Sequence, residues 1–132
     1  MNAILPRKIQ KQRRREQRWR SPAHCSHVRS FACADCGSTT NVVAAHFRFG
    51  SHTGMSQKPD DWRTTPLCDG PCSNIDGQLG CHNRQHMIGE PSFWNAYAER
   101  KGHTVHQLIE ELIRTSPKRA EIEQIRKERA NG

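Results

Sequence analysis

Cys33-Ala34-Asp35-Cys36-Gly37-Ser38-Thr39-Thr40-Asn41-Val42-Val43-Ala44-Ala45-His46 is the stretch that decides how this chain folds. Two cysteines separated by two residues and followed by glycine form a turn that can close around a metal ion, because Gly37 can take the left-handed conformation such a turn demands. Asn41 to His46 then reads as a strand built on paired valines and alanines. That strand ends on a histidine. A metal-holding knuckle feeding a short strand implies a small mixed α+β domain stapled by a metal ion.

Working outward, residues 47–62 carry Gly50, Gly54 and Pro59 without a sustained period and read as a loop between two strands. Arg63-Thr64-Thr65-Pro66-Leu67 is the second strand, placed at a sheet edge by Pro66. Cys68 to Gly80 is loop chemistry again, and Cys81 to about Ile88 forms a helix. Pro91-Ser92 restarts a helix with Phe93, Trp94 and Tyr97 on one face, and Gly102 ends it. Upstream, Ser21-Pro22 is a helix start that runs to about Ser30. Downstream, Thr104-Val105-His106-Gln107 is a capping box before Leu108, Ile109, Leu112 and Ile113. Ser116-Pro117 opens a charged segment to Arg129 whose only apolar anchors are Ile122 and Ile125, so it is expected to project or form an interface. The resulting division is a basic arm over 1–20, a metal-stapled domain over 21–102 and a helical extension over 103–132.

The chain has 132 residues, 33% hydrophobic and 26% charged, which is one lean domain that gains from a cross-link. No stretch resembles a signal-peptide core or a membrane span, so a cytoplasmic setting is expected, without a membrane partner. There thiols stay reduced, and six cysteines in close pairs read as metal ligands rather than disulfides. The net charge is +8, and residues 1–20 hold eight Lys and Arg against Glu16 alone, a local net of +7. A run of that kind is expected to be a flexible arm, with Arg13, Arg14, Arg15 and Arg18 lying on nucleic-acid phosphates. Its plainer reading is a solubilising tail.

Two sets of side chains carry the chemistry. Cys33 and Cys36 supply one half of a tetrahedral zinc site, and Cys68 starts the other. The fourth ligand is Cys72 or Cys81; Cys81 is preferred because it stands at a helix start directly before His82, with residues 69–80 looping out. Cys25 is left as a free thiol. A zinc of this kind is most often a staple and by itself implies no reaction. The second set is His82 and His86, four residues apart on one helical face and so able to share one metal ion, while chance alone also produces such pairs. The hairpin and helix together bring His46 toward them.

A cysteine pair, a strand ending in Ala45-His46, a loop, Pro66-Leu67-Cys68 and then Cys81-His82-Asn83-Arg84-Gln85-His86 resemble the HNH, or ββα-metal (His-Me finger), endonuclease superfamily. Within it the chain is similar to phage and prophage members, including RecA-dependent recombination-enhancement nucleases, through Gly54-Met55, Lys58-Pro59-Asp60-Asp61 and Gln85 as well. The resemblance covers about residues 20–97.

It implies a zinc-stapled ββα-metal core and hydrolysis of DNA phosphodiester bonds in a bacterial host cell. His46 is the implied general base, and His82 and His86 hold a catalytic Mg²⁺ or Mn²⁺. Two departures stand out. The usual loop asparagine has no clear counterpart, and Asp60 or Asp61 is the substitute for its loop-pinning role, Asp61 being taken as the catalytic partner. Position 45 is alanine where many relatives have Asp or His as a further ligand, so the metal shell is short unless Asp61 or His52 joins it. Arg48 and Lys58 are candidates for phosphate contact. The competing expectation is a non-catalytic zinc-stapled DNA-binding module. A RecA-type recombinase filament is a partner the resemblance allows; the oligomeric state is left open.

Overall fold

In the computed structural model, which describes residues 18–50, 58–71 and 79–131, Ser21 and Pro22 open the first helix as their chemistry suggests. The Ser21 hydroxyl accepts from the His24 amide at 3.1 Å, and Pro22 occupies the first turn of α1 (Pro22–Arg29). The Cys33 knuckle closes through Gly37, whose amide donates to Cys33 O at 2.9 Å with φ at 79°.

Two strands follow, β1 (Val42–His46) and β2 (Thr64–Cys68), paired antiparallel from Val42 opposite Cys68 to His46 opposite Thr64. Pro66 lies on the edge expected of it. That edge is covered, because the Ala34 amide from the knuckle donates to Pro66 O at 2.8 Å, and every residue of β2 is buried.

Helices α2 (Gly80–Ile88) and α3 (Glu90–Lys101) meet at Gly89, and α3 stops at Gly102 in the left-handed conformation. The capping box at Thr104 forms in full and starts α4 (Val105–Arg114), which buries Val105, Ile109, Leu112 and Ile113. The last helix, α5, spans Arg119–Asn131. Among the described residues no helix is long and apolar enough to cross a membrane.

One buried apolar cluster joins Trp19, Ala45, Phe47, Trp62, Leu67, Phe93, Trp94, Tyr97, Ile109 and Ile122. Two boundaries therefore move. Trp19 packs into the core from within the expected arm of residues 1–20, so the packed chain already includes residue 19. Helix α5 was expected to project or form an interface; Ile122 is fully buried in the core and Ile125 packs against it, so the helix is part of the packed body. Two isoleucines suffice because full burial of Ile122 adds about 2 kcal/mol, Ile125 covers it in part and polar contacts fix the helix around them. Arg13, Arg14 and Arg15 lie outside the described residues, as do His52, Gly54, Met55 and Cys72.

Candidate functional site

The two ends of the hairpin carry two different sets of side chains. At the Val42–Cys68 end, the sulfurs of Cys33, Cys36, Cys68 and Cys81 all lie within 4.8 Å of one another. A metal–sulfur bond of about 2.3 Å sets the sulfurs of a tetrahedral site about 3.8 Å apart, and Cys36 and Cys68 stand at 3.6 Å. The four thiols can hold one metal ion such as zinc. The Cys81 amide adds a bond to Cys68 Sγ at 3.3 Å.

Cys81 reaches this cluster because Gly80 lets the chain pass close to other backbone. Its φ is +80°, and a Cβ there would stand 2.6 Å from Gly70 N and O and 2.8 Å from Cys68 O. Hydrogen bonding within the set shares its protons unevenly. The Cys33 thiol is drawn down to about 4, first by the S–H of Cys81 and then, against burial, by the backbone amides of Cys36, Cys68 and Asp35. The same bond to Cys33, followed by burial, pushes Cys81 up.

Sequence reading missed Asp35. Its carboxylate is buried behind Cys81, with Oδ2 3.4 Å from Cys81 Sγ, and is paired with Arg100 and, at 3.8 Å, with Arg84. Those guanidiniums offset the negative charge that thiolates and carboxylate would concentrate there. An acidic residue inside the knuckle was visible in the sequence; a partner 65 residues away was not.

At the other end, His46 Nε2 lies 2.9 Å from Asp61 Oδ1. Asp61 is buried in a turn leading into β2 and accepts two further bonds, from the Ser21 amide at 2.8 Å and Arg18 Nη1 at 3.1 Å. Burial works to raise this carboxyl's pKa, but the hydrogen bonds from His46 and Ser21, with Arg18 behind them, outweigh it and hold it below the ordinary range. An ionised carboxylate only accepts hydrogen bonds, so His46 Nε2 must carry the proton. In the neutral ring that leaves the lone pair on Nδ1. Arg18, expected on phosphate, donates its Nη1 to Asp61 Oδ1 and to Pro59 O.

On α2, two pairs at helical spacing point differently. Cys81 and Gln85 face inward, and Gln85 accepts from Trp94 Nε1 at 2.8 Å. His82, half-buried, and His86, exposed, lie one residue further round, with their Nε2 atoms 3.2 Å apart. A single ion bonded to both at about 2.1 Å spans about 3.0–3.4 Å, so the pair fits one divalent ion. Two imidazoles suit zinc, iron or nickel better than Mg²⁺, which prefers oxygen. Burial, and then the neighbouring His86, lower the pKa of His82, against Asp69, whose Oδ1 is 4.0 Å from His82 Nδ1.

The end of β1 and the α2–α3 junction are tied together, since Glu90 accepts from the Arg48 amide at 2.9 Å and the Phe49 amide at 3.2 Å. Glu90 thus ties the α2–α3 junction to the chain just after His46, while His82 on α2 lies near Asp69 beside the thiol cluster. Ala45 is only 2% exposed and contributes a packed methyl. Asp61 is engaged by His46, the Ser21 amide and Arg18. Among the described residues, the thiols are the only group of three or more side chains placed to share an ion. Lys58 is exposed.

Comparisons with protein-family models, with curated proteins and with solved structures find no match to this chain.

Proposed function

We propose that this chain is a metal-dependent endonuclease of the HNH type, of phage or prophage kind, that hydrolyses DNA phosphodiester bonds. The observation that carries the reading is the oriented imidazole of His46. Its Nε2–H is spent on Asp61 at 2.9 Å, which presents Nδ1 as the basic nitrogen. A pair 15 residues apart in sequence is assembled by the fold, unlike the His82–His86 pair, which helical spacing alone supplies.

In this reading His46 Nδ1 takes the proton of the attacking water. Asp61 holds the ring in the required tautomer and stabilises the imidazolium that forms. His82 and His86 would hold a divalent ion, Mg²⁺ or Mn²⁺ as the resemblance implies or an imidazole-preferring ion such as zinc or nickel, supplying Lewis-acid stabilisation at the phosphate and leaving oxygen. The four thiols hold a structural zinc. Arg48, Lys58 and the basic residues before Arg18 contact DNA phosphates, with a steep salt dependence and weak sequence preference. A RecA-type filament is a candidate partner, on the resemblance alone.

Supercoiled plasmid incubated with the protein and Mn²⁺, Zn²⁺, Mg²⁺ or EDTA, with and without a recombinase filament, tests this beside His46→Ala. Nicking should vanish in EDTA and fall about 10²–10⁴-fold in the variant. Absence of cleavage with every ion and with the filament, while DNA is still bound, overturns it. That outcome would favour a zinc-stapled DNA-binding module, for which the packed methyl of Ala45 already speaks.

A further inference from the structure

The turn that carries Asp61 is braced from outside by the last helix. Arg129 on α5 makes a two-pronged contact with Asp60, Nη1 to Oδ2 at 2.8 Å and Nη2 to Oδ1 at 3.2 Å. The same guanidinium lies 5.0 Å from the ring centroid of Trp62. Residues on both sides of Asp61 are thus held by one side chain. Asp60 Oδ1 also accepts from the Trp19 amide at 2.7 Å, and the Asp61 amide donates to Trp19 O at 3.0 Å. Trp19 is in turn held by α5, because its Nε1 donates to Glu121 Oε1 at 3.1 Å. Ile122, beside Glu121, is fully buried.

We infer that Arg129 is a positioning residue for His46, acting through Asp60 and the Asp60–Trp62 turn to fix the Asp61 carboxylate that selects the His46 tautomer. The inference rests on the reading of His46 as the base only for its consequence in catalysis; the mechanical coupling is independent of it. Three facts argue for a specific brace. A bidentate guanidinium–carboxylate contact fixes direction as well as distance, which a lysine's point charge cannot do. Asp60 is 17% exposed at its side chain against 45% for Arg129, and the pairing is bidentate, the geometry in which a partly exposed pair still fixes position. Moreover, the brace ends one residue from Asp61, and small displacements of a positioning group cost large factors in rate.

The test uses the full chain with its metal in place and compares Arg129→Met, Arg129→Lys and Arg126→Met. Arg126 is the control, since it makes an equally close two-pronged contact with Glu110 on α4 and does not touch the turn. Ring nitrogen chemical shifts of His46 by ¹⁵N NMR report its tautomer without requiring cleavage. Arg129→Met should lower the Nε2–H population, Arg129→Lys should restore part of it, and Arg126→Met should match the unaltered protein, all with unchanged metal content. Where cleavage is measurable, kcat should fall roughly tenfold in Arg129→Met with KM held. Unaltered His46 shifts in a folded Arg129→Met protein overturn the inference, whatever the nuclease assay shows. Altered shifts in a protein that never cuts DNA sustain the coupling while removing the nuclease reading.

Discussion

The two ends of one short hairpin are organised on opposite principles. At the Cys68 end, buried thiols converge from tight turns and a helix start, and the set becomes complete when an ion joins it. At the His46 end, charged and polar groups converge from residues 18–21, from the turn at 60–62 and from α5, and they satisfy one another without an ion. The first end would therefore draw its stability from a metal ion shared by the thiols. The second depends on desolvated hydrogen bonds, which are costly to leave half-made.

The largest expected effect comes from removing the ion that the thiols would hold. Exhaustive chelation, or Cys68→Ser, should destabilise the fold by upwards of about 5 kcal/mol, given what structural zinc contributes in small domains. Loss of the cooperative thermal transition, followed by circular dichroism, is the readout. A chelated protein with an unchanged Tm would mean that the two ends do not differ in the way described.

Gly80→Ala sharpens the same contrast at smaller scale. A Cβ at a φ of +80° and 2.6 Å from Gly70 backbone must force the helix start away from Cys68. Roughly 3 kcal/mol of stability should be lost, together with weaker metal retention. Full retention of metal by this variant would show that the close approach of Gly80 is incidental to the cluster.

The polar end has its own signature in acid. His24, fully buried with Nδ1 2.7 Å from Ser116 Oγ, has its pKa lowered to about 4, first by burial and then by His27, against the opposing charge of Asp61. Its Nε2 has no hydrogen-bond partner among the described residues, so a second ring proton would be buried unpaired. An unfolded histidine takes up a proton near pH 6.5, whereas this one resists until about pH 4. Stability should therefore decline as pH falls from about 6.5 to 4, by no more than about 3 kcal/mol from this group. Denaturant melts of His24→Gln should show a flatter acid limb than the unaltered protein; identical limbs would remove His24 as the cause. Metal release followed in the same samples separates this loss from protonation of the thiols.

How much of this was legible beforehand follows the same division. The knuckle, both strands, the capping box at Thr104 and the stop at Gly102 are written in neighbouring residues, and the structure places them within a residue or so of expectation. The convergence of Cys81 with the other three thiols was also readable, from a cysteine at a helix start. Three things escaped. The ties of Arg18 and Arg100 to single buried carboxylates turn two ordinary surface cations into partners of the two sites. The brace from Arg129 joins residues 69 apart in sequence. Finally, Ile122 and Ile125 were legible as the anchors of α5, but two apolar residues in a charged helix did not decide between projecting and packing on the core.

By itself, then, the sequence determined a small α+β unit with four cysteines placed to share a metal ion, its hairpin and a histidine at the strand's end. Those features depend on backbone preferences and ligand spacings that act over a few residues. Only the tertiary structure decided which carboxylate faces His46, which ring nitrogen that leaves without a proton, and that Trp19 and Arg129 hold the turn between them. Such choices are made by partners far apart in sequence, whose pairing is favourable only after the core has excluded water around them.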